Sequence, residues 1–153
     1  MLAETLKTLF NRDLDKLKGE IELYQNEKAI WLIEKGIANS AGNLCLHLVG
    51  NLNTYIGAVI GKTNYIRHRE LEFSLKDIPK TELVNKIEET ISVVNESITK
   101  LTDDDLKAEY PILVFNEKTS TEYLLVHLTT HLSYHLGQIN YHRRLLDAQC
   151  CVF

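Results

Sequence analysis

Residues 127–144, HLTTHLSYHLGQINYHRR, hold four of the chain's six histidines: His127, His131, His135 and His142. A helix advances by about 100° per residue. His131 and His135 therefore share one face, with their Cβ atoms about 6 Å apart. Imidazoles at this spacing can bind one metal ion, as i, i+4 pairs do in helix-borne zinc sites. Leu128, Leu132, Leu136 and Ile139 form the adjoining apolar strip, which turns the His131/His135 edge inward. Two buried imidazoles need partners, and a shared cation supplies one to both. His127 and His135 are two turns apart, too far to reach one ion from a straight helix. His127 is accordingly read as a residue behind the ligands or in the core, His142 as exposed or at an interface, and Gly137 as room for a close neighbour beside the metal.

Two ligands make a poor site, and the third is expected from another helix. His47 lies in NLCLHLVGNL, the most apolar stretch of the chain, where an unpaired histidine is costly. Gly50 and Asn51 share its face and leave space beside the imidazole. His68, in the charged segment IRHRE, is expected to be exposed and is the weaker candidate. Three imidazoles leave a fourth position for water or substrate, the pattern of catalytic zinc, where water is acidified or a thiol binds as thiolate. The neutral nitrogen set suits zinc or nickel, with cobalt, iron(II) and manganese as further occupants. Asn51, Gln138 and His127 are candidates to orient the ligands. Arg67 and Arg69 are candidates to clamp an anionic substrate, against the alternative of ion pairs with Glu70 or Glu72. No carboxylate stands near the histidines in sequence to serve as a general base, which counts against hydrolysis. Glu34 and the acidic residues 103–105 would have to reach the site through the fold.

The elements that must position these residues are helices. Leu2, Leu6, Leu9, Phe10, Leu14, Leu17, Ile21 and Tyr24 recur at 3–4 spacing, predicting a first helix over 2–24. A short connection follows, with a helical turn around Trp31. Ser40 reads as the N-cap of a nearly all-apolar second helix running to about Gly61 and containing Gly50 and Gly57. A long connection leads to an amphipathic third helix over 81–101. The loop after it is expected to hold a helical turn at 103–107 and an extended piece at 110–115. Thr119 and Glu122 stand in capping-box relation at the start of a fourth helix that runs to about Leu146. The fold class predicted is all-α, a single four-helix-bundle domain over 1–153.

The net charge of −4 argues against nucleic acid as a partner. The charged opening MLAETLKTLFNRDLDKLKGE is neither signal peptide nor membrane span, so a cytoplasmic protein without membrane attachment is expected. Three cysteines, two of them adjacent (Cys150 and Cys151), do not make a disulfide framework. The ending CCVF matches a prenylation signal but lacks a polybasic run and is read as chance.

The order of LHLVGNL around His47 and then THLSYHLGQI around His131 and His135 resembles the DinB-like superfamily of four-helix-bundle proteins, which includes the YfiT-like metal-dependent hydrolases. Trp31, NSAGNLCLHLVGNL, RHRELEF and HLSYHLGQINYHRRL extend the resemblance over nearly the whole chain, closest to a branch of unknown function. It implies a divalent metal held by His47, His131 and His135, with Gly137 and Gln138 matching the residues that follow the last ligand. Leu136 stands where that pattern often has a basic residue. The resemblance also implies a homodimer and, in some branches, a low-molecular-weight thiol such as bacillithiol or mycothiol as co-substrate. Two functions are therefore expected to compete: a metal-dependent hydrolase or thiol transferase, and a non-enzymatic, stress-related binding or dimerisation module whose metal site is structural or vestigial.

Overall fold

The computed structural model describes residues 2–34 and 36–147, so the CCVF ending lies outside the described residues. Helix α1 (Leu2–Leu23) buries Leu6, Phe10, Leu14, Leu17 and Ile21, the stripe its spacing predicts. One 3₁₀ turn, Glu27–Trp31, carries the chain to α2 (Ala41–Leu52), every residue of which is buried. The short α3 (Arg69–Ser74) sits in the long connection before α4 (Lys80–Thr99). α5 (Asp103–Lys107), capped reciprocally by Thr102 and Asp105, precedes α6 (Thr121–His142). α1 and α2 each pack against both α4 and α6, which closes an all-helical bundle around one core. Among the described residues, no helix is long and apolar enough to cross a membrane.

Three local expectations change. The second helix is α-helical only to Leu52 and continues as a wider π-helical turn, Asn53–Ala58. Asn53 Nδ2 donates to the Val49 carbonyl (2.8 Å) and Thr54 Oγ1 to the Gly50 carbonyl (2.7 Å). Such side-chain bonds compete with the backbone ladder, and Val59 N reaches back five residues to the Thr54 carbonyl (3.2 Å). The cap of α6 is Ser120, whose Oγ accepts from Tyr123 N (3.2 Å), rather than a Thr119/Glu122 box. The Thr119 carbonyl is held by Tyr110 N (2.8 Å), so the first helical turn can begin only one residue later. That contact belongs to an isolated antiparallel bridge, Glu109 to Ser120, which replaces the extended piece expected at 110–115.

The start of α2 governs what lies beside it. Ser40 Oγ accepts from Asn43 N (3.1 Å), the expected cap, and donates to Asn43 Oδ1 (2.6 Å). So held, Asn43 Nδ2 donates to the carbonyls of Glu72 (2.9 Å) and Leu75 (2.8 Å), fastening α3 onto α2. Leaving a buried acceptor unpaired costs about 1–3 kcal/mol. Asn43→Ala is therefore expected to destabilise the protein by on the order of 3 kcal/mol, read as a lowered urea midpoint. An unchanged midpoint would mean that α3 is held by other contacts.

Candidate metal centre

His47 projects from the middle of α2, and His131 and His135 project toward it from successive turns of α6. One potential ligand atom from each lies within 4.8 Å of the other two. The His47 and His131 Nε2 atoms are 3.2 Å apart, and the His131 and His135 rings meet edge to face with centroids 4.6 Å apart. Two nitrogens on a tetrahedral zinc at ~2.0–2.1 Å stand roughly 3.3 Å from one another. The His47–His131 separation is close to that value.

Proton placement favours a cation in the gap. His47 Nδ1 donates to Glu72 Oε1 (3.1 Å), which leaves the Nε2 lone pair facing His131. His135 Nδ1 likewise donates to Gln138 Oε1 (2.7 Å), which makes Nε2 the nitrogen free to ligate. Burial pushes the His131 imidazole down to about 4, reinforced by neighbouring His135 and His47. Burial lowers His47 as well, against the opposing pull of Glu72. Both are neutral at pH 7, as metal ligation requires. Among the described residues, the buried side-chain atoms without a hydrogen-bond partner are His131 Nδ1 and Asn51 Oδ1, on a ligand candidate and one turn beyond His47. The donor set fits a divalent metal.

The fold supplies a carboxylate that no reading of the sequence near the histidines offers. Glu72, on α3, is buried (6% exposed), and its two oxygens also take Arg67 Nε and Nη2 at 2.8 Å each. Arg67 thus makes the ion pair weighed as the alternative to an anion clamp. Arg69 lies over the Phe73 ring, 5.5 Å from its centroid. Glu72 occupies the space that Gly50 leaves: a Cβ there would stand 2.6 Å from the Glu72 Cδ. A glycine one turn from the buried histidine was the available signal. It did not reveal which residue fills the space, because Glu72 sits in a segment whose charges suggest exposure.

The remaining candidates divide. His127 is half-buried, edge-on to Phe115 (4.7 Å between centroids) and stacked over His131 at 6.2 Å, so it backs the cluster. His68 is exposed, with its ring 3.8 Å from Glu70. Glu34 and residues 103–105 are exposed, and Asp105 is engaged by Thr102. Gly137 does not make room for a neighbour, because a Cβ there would meet nothing within 4 Å.

His142 is a further correction. It is not exposed but 4% accessible, accepting at Nδ1 from Tyr24 Oη (2.7 Å) and donating from Nε2 to the Leu32 carbonyl (2.9 Å). In the neutral form both ring nitrogens are satisfied by these two bonds. Burial lowers its pKa below the ordinary value, overriding the Leu32 bond, which raises it. A depressed folded pKa gives stability that is complete above the unfolded value, about 6.5, and is lost as pH falls toward the folded one. Chelator-treated protein should therefore lose stability from pH 7 to 5 more steeply than a His142→Gln variant, measured as urea midpoints. Equal slopes would show that His142 does not titrate in this window.

Comparison with the curated proteins finds no match. A family profile does match, over residues 3–150, nearly the whole chain including all three clustered histidines and Glu72. The chain belongs to the family described as protein of unknown function (DUF1572).

Proposed function

We propose that this protein is a metal-dependent enzyme of the DinB-like kind, in which His47, His131 and His135 hold one divalent ion, zinc or nickel. The observation that carries the proposal is the convergence of three imidazoles, from two helices, within 4.8 Å. When bound, such an ion supplies Lewis acidity to a water or thiol at its remaining position. The chain's own groups orient the ligands. Glu72 and Gln138 each hold a proton on the Nδ1 of their histidine, which fixes the tautomer and ring orientation. Arg67 holds Glu72 in place through two hydrogen bonds.

Among hydrolase and thiol-transferase chemistries, the surroundings favour the second. Both Glu72 oxygens are engaged by Arg67 and His47, so this carboxylate is poorly placed to take a proton from water. A thiol that binds as thiolate needs no such base to attack. The test is elemental analysis of protein purified without a histidine tag, paired with thiol-transfer and ester-hydrolysis assays. The expected result is stoichiometric metal and thiol transfer, both abolished in His135→Ala. Full turnover by metal-free protein would overturn the proposal.

A further inference from the structure

A cleft of about 770 Å³ opens beside His135, between α6 and the loop that precedes α2. That volume lies in the range of small-molecule sites, about 300–1,000 Å³. Its walls carry Ile37, Leu44, Tyr134, Tyr141 and Leu145. No Lys, Arg, Asp or Glu among the described residues lines it. Neither arginine nearby in sequence lines it: Arg143 pairs with Glu20 (2.6 Å), and Arg144 lies over the Tyr141 ring, 5.4 Å from its centroid.

Among the described residues, the polar side chains of the cleft are Asn39, Tyr134, His135, Gln138, Tyr141 and His142. Of Gln138, Oε1 is held by His135 Nδ1 (2.7 Å), which leaves the amide N–H groups to donate. His142 faces the cleft with both ring nitrogens already bonded to Tyr24 and Leu32. Without an ion at the histidines, an anion entering here would lose water with no charged side chain among the described lining residues to replace it. An uncharged molecule with an aromatic or aliphatic body would bury apolar surface on the tyrosine and leucine walls. It could also offer Gln138 a single acceptor.

We propose that the cleft binds an uncharged, largely apolar substrate body beside His135 and that its walls, apart from any ion at the histidines, select against anionic groups. This deepens the metal-enzyme reading and rests on it for calling the ligand a substrate. Binding itself can be measured without metal. The probes are N-phenyl-1-naphthylamine, which is neutral, and 1-anilinonaphthalene-8-sulfonate, the same body with a sulfonate. Both are titrated by fluorescence into metal-free protein.

The neutral dye is expected to saturate at one per chain and to bind at least 10-fold more tightly than the sulfonate. Gly137→Phe and Ala38→Phe, which add bulk on opposite walls, are each expected to weaken it 10-fold or more. Gly137 has open space at its Cβ and Ala38 is exposed, so both variants are expected to fold. Equal or tighter binding of the sulfonate would overturn the proposal, as would no saturable binding or two variants that bind like the parent. Dye release in step with self-association on raising protein concentration would assign the surface to a second copy and also overturn it. Zinc titrated into the same preparations reads the metal centre separately. A chain that takes the dye but no zinc supports the cleft while refuting the metal.

Discussion

His131→Ala is expected to abolish stabilisation by zinc. A ligand at 100 times its Kd that binds only the folded state adds about 2.7 kcal/mol. The parent should therefore show a clear rise in its urea midpoint when metal-free protein is given zinc, and the variant should show none. In metal-free protein the two should differ much less. The substitution removes apolar contacts and the 3.2 Å Nε2–Nε2 hydrogen bond to His47, but it also removes a buried Nδ1 with no partner. The two effects oppose one another. His127→Ala should keep the zinc response, since His127 stacks on His131 and lies outside the three-histidine group. A parent whose midpoint does not respond to zinc, nickel or iron(II) would remove the metal centre altogether.

Gly50→Ala is expected to lose stability and metal affinity together, although alanine in a helix is ordinarily worth about 1 kcal/mol over glycine. The added Cβ would meet the Glu72 carboxylate, 2.6 Å from its Cδ. Glu72 would have to leave Arg67 and His47, and disrupting a buried, hydrogen-bonded charge pair costs about 3–5 kcal/mol when one partner is lost. The penalty thus outweighs the propensity gain. Glu72→Gln keeps the shape but weakens the hold on the His47 proton, and loss of such an outer partner typically lowers metal affinity 10–100-fold. A double-mutant cycle separates the causes. In a Glu72→Ala background the collision partner is gone, so Gly50→Ala should be neutral or stabilising. A Gly50→Ala penalty that is the same in both backgrounds would show that the glycine serves something other than Glu72.

The two halves of the site differed in how much the sequence revealed. His131 and His135 could be paired because helical period alone puts residues four apart on one face, and the leucines beside them set the direction of that face. His47 stood out because its neighbours are apolar and a histidine among them requires a partner. Glu72 did not stand out. Its burial arises from Asn43 fastening α3 and from the vacancy at Gly50, and both are contacts across the long connection between α2 and α4. His142 failed for a related reason. It follows a tyrosine and precedes two arginines, a context that suggests exposure, yet Tyr24 and Leu32, more than a hundred residues earlier in the chain, close over it.

The sequence by itself determined the periodic part of this protein: four long amphipathic or apolar helices, the Ser40 cap, the i, i+4 histidine pair and the need for a third imidazole. Each follows from local geometry and from the cost of burying polar atoms. Only the tertiary structure decided what surrounds that pair: the Arg67–Glu72–His47 chain, the Gln138 bond to His135, the locked His142 and the cleft beside Gly137. These depend on contacts between residues distant along the chain, whose loop-closure geometry no local pattern encodes.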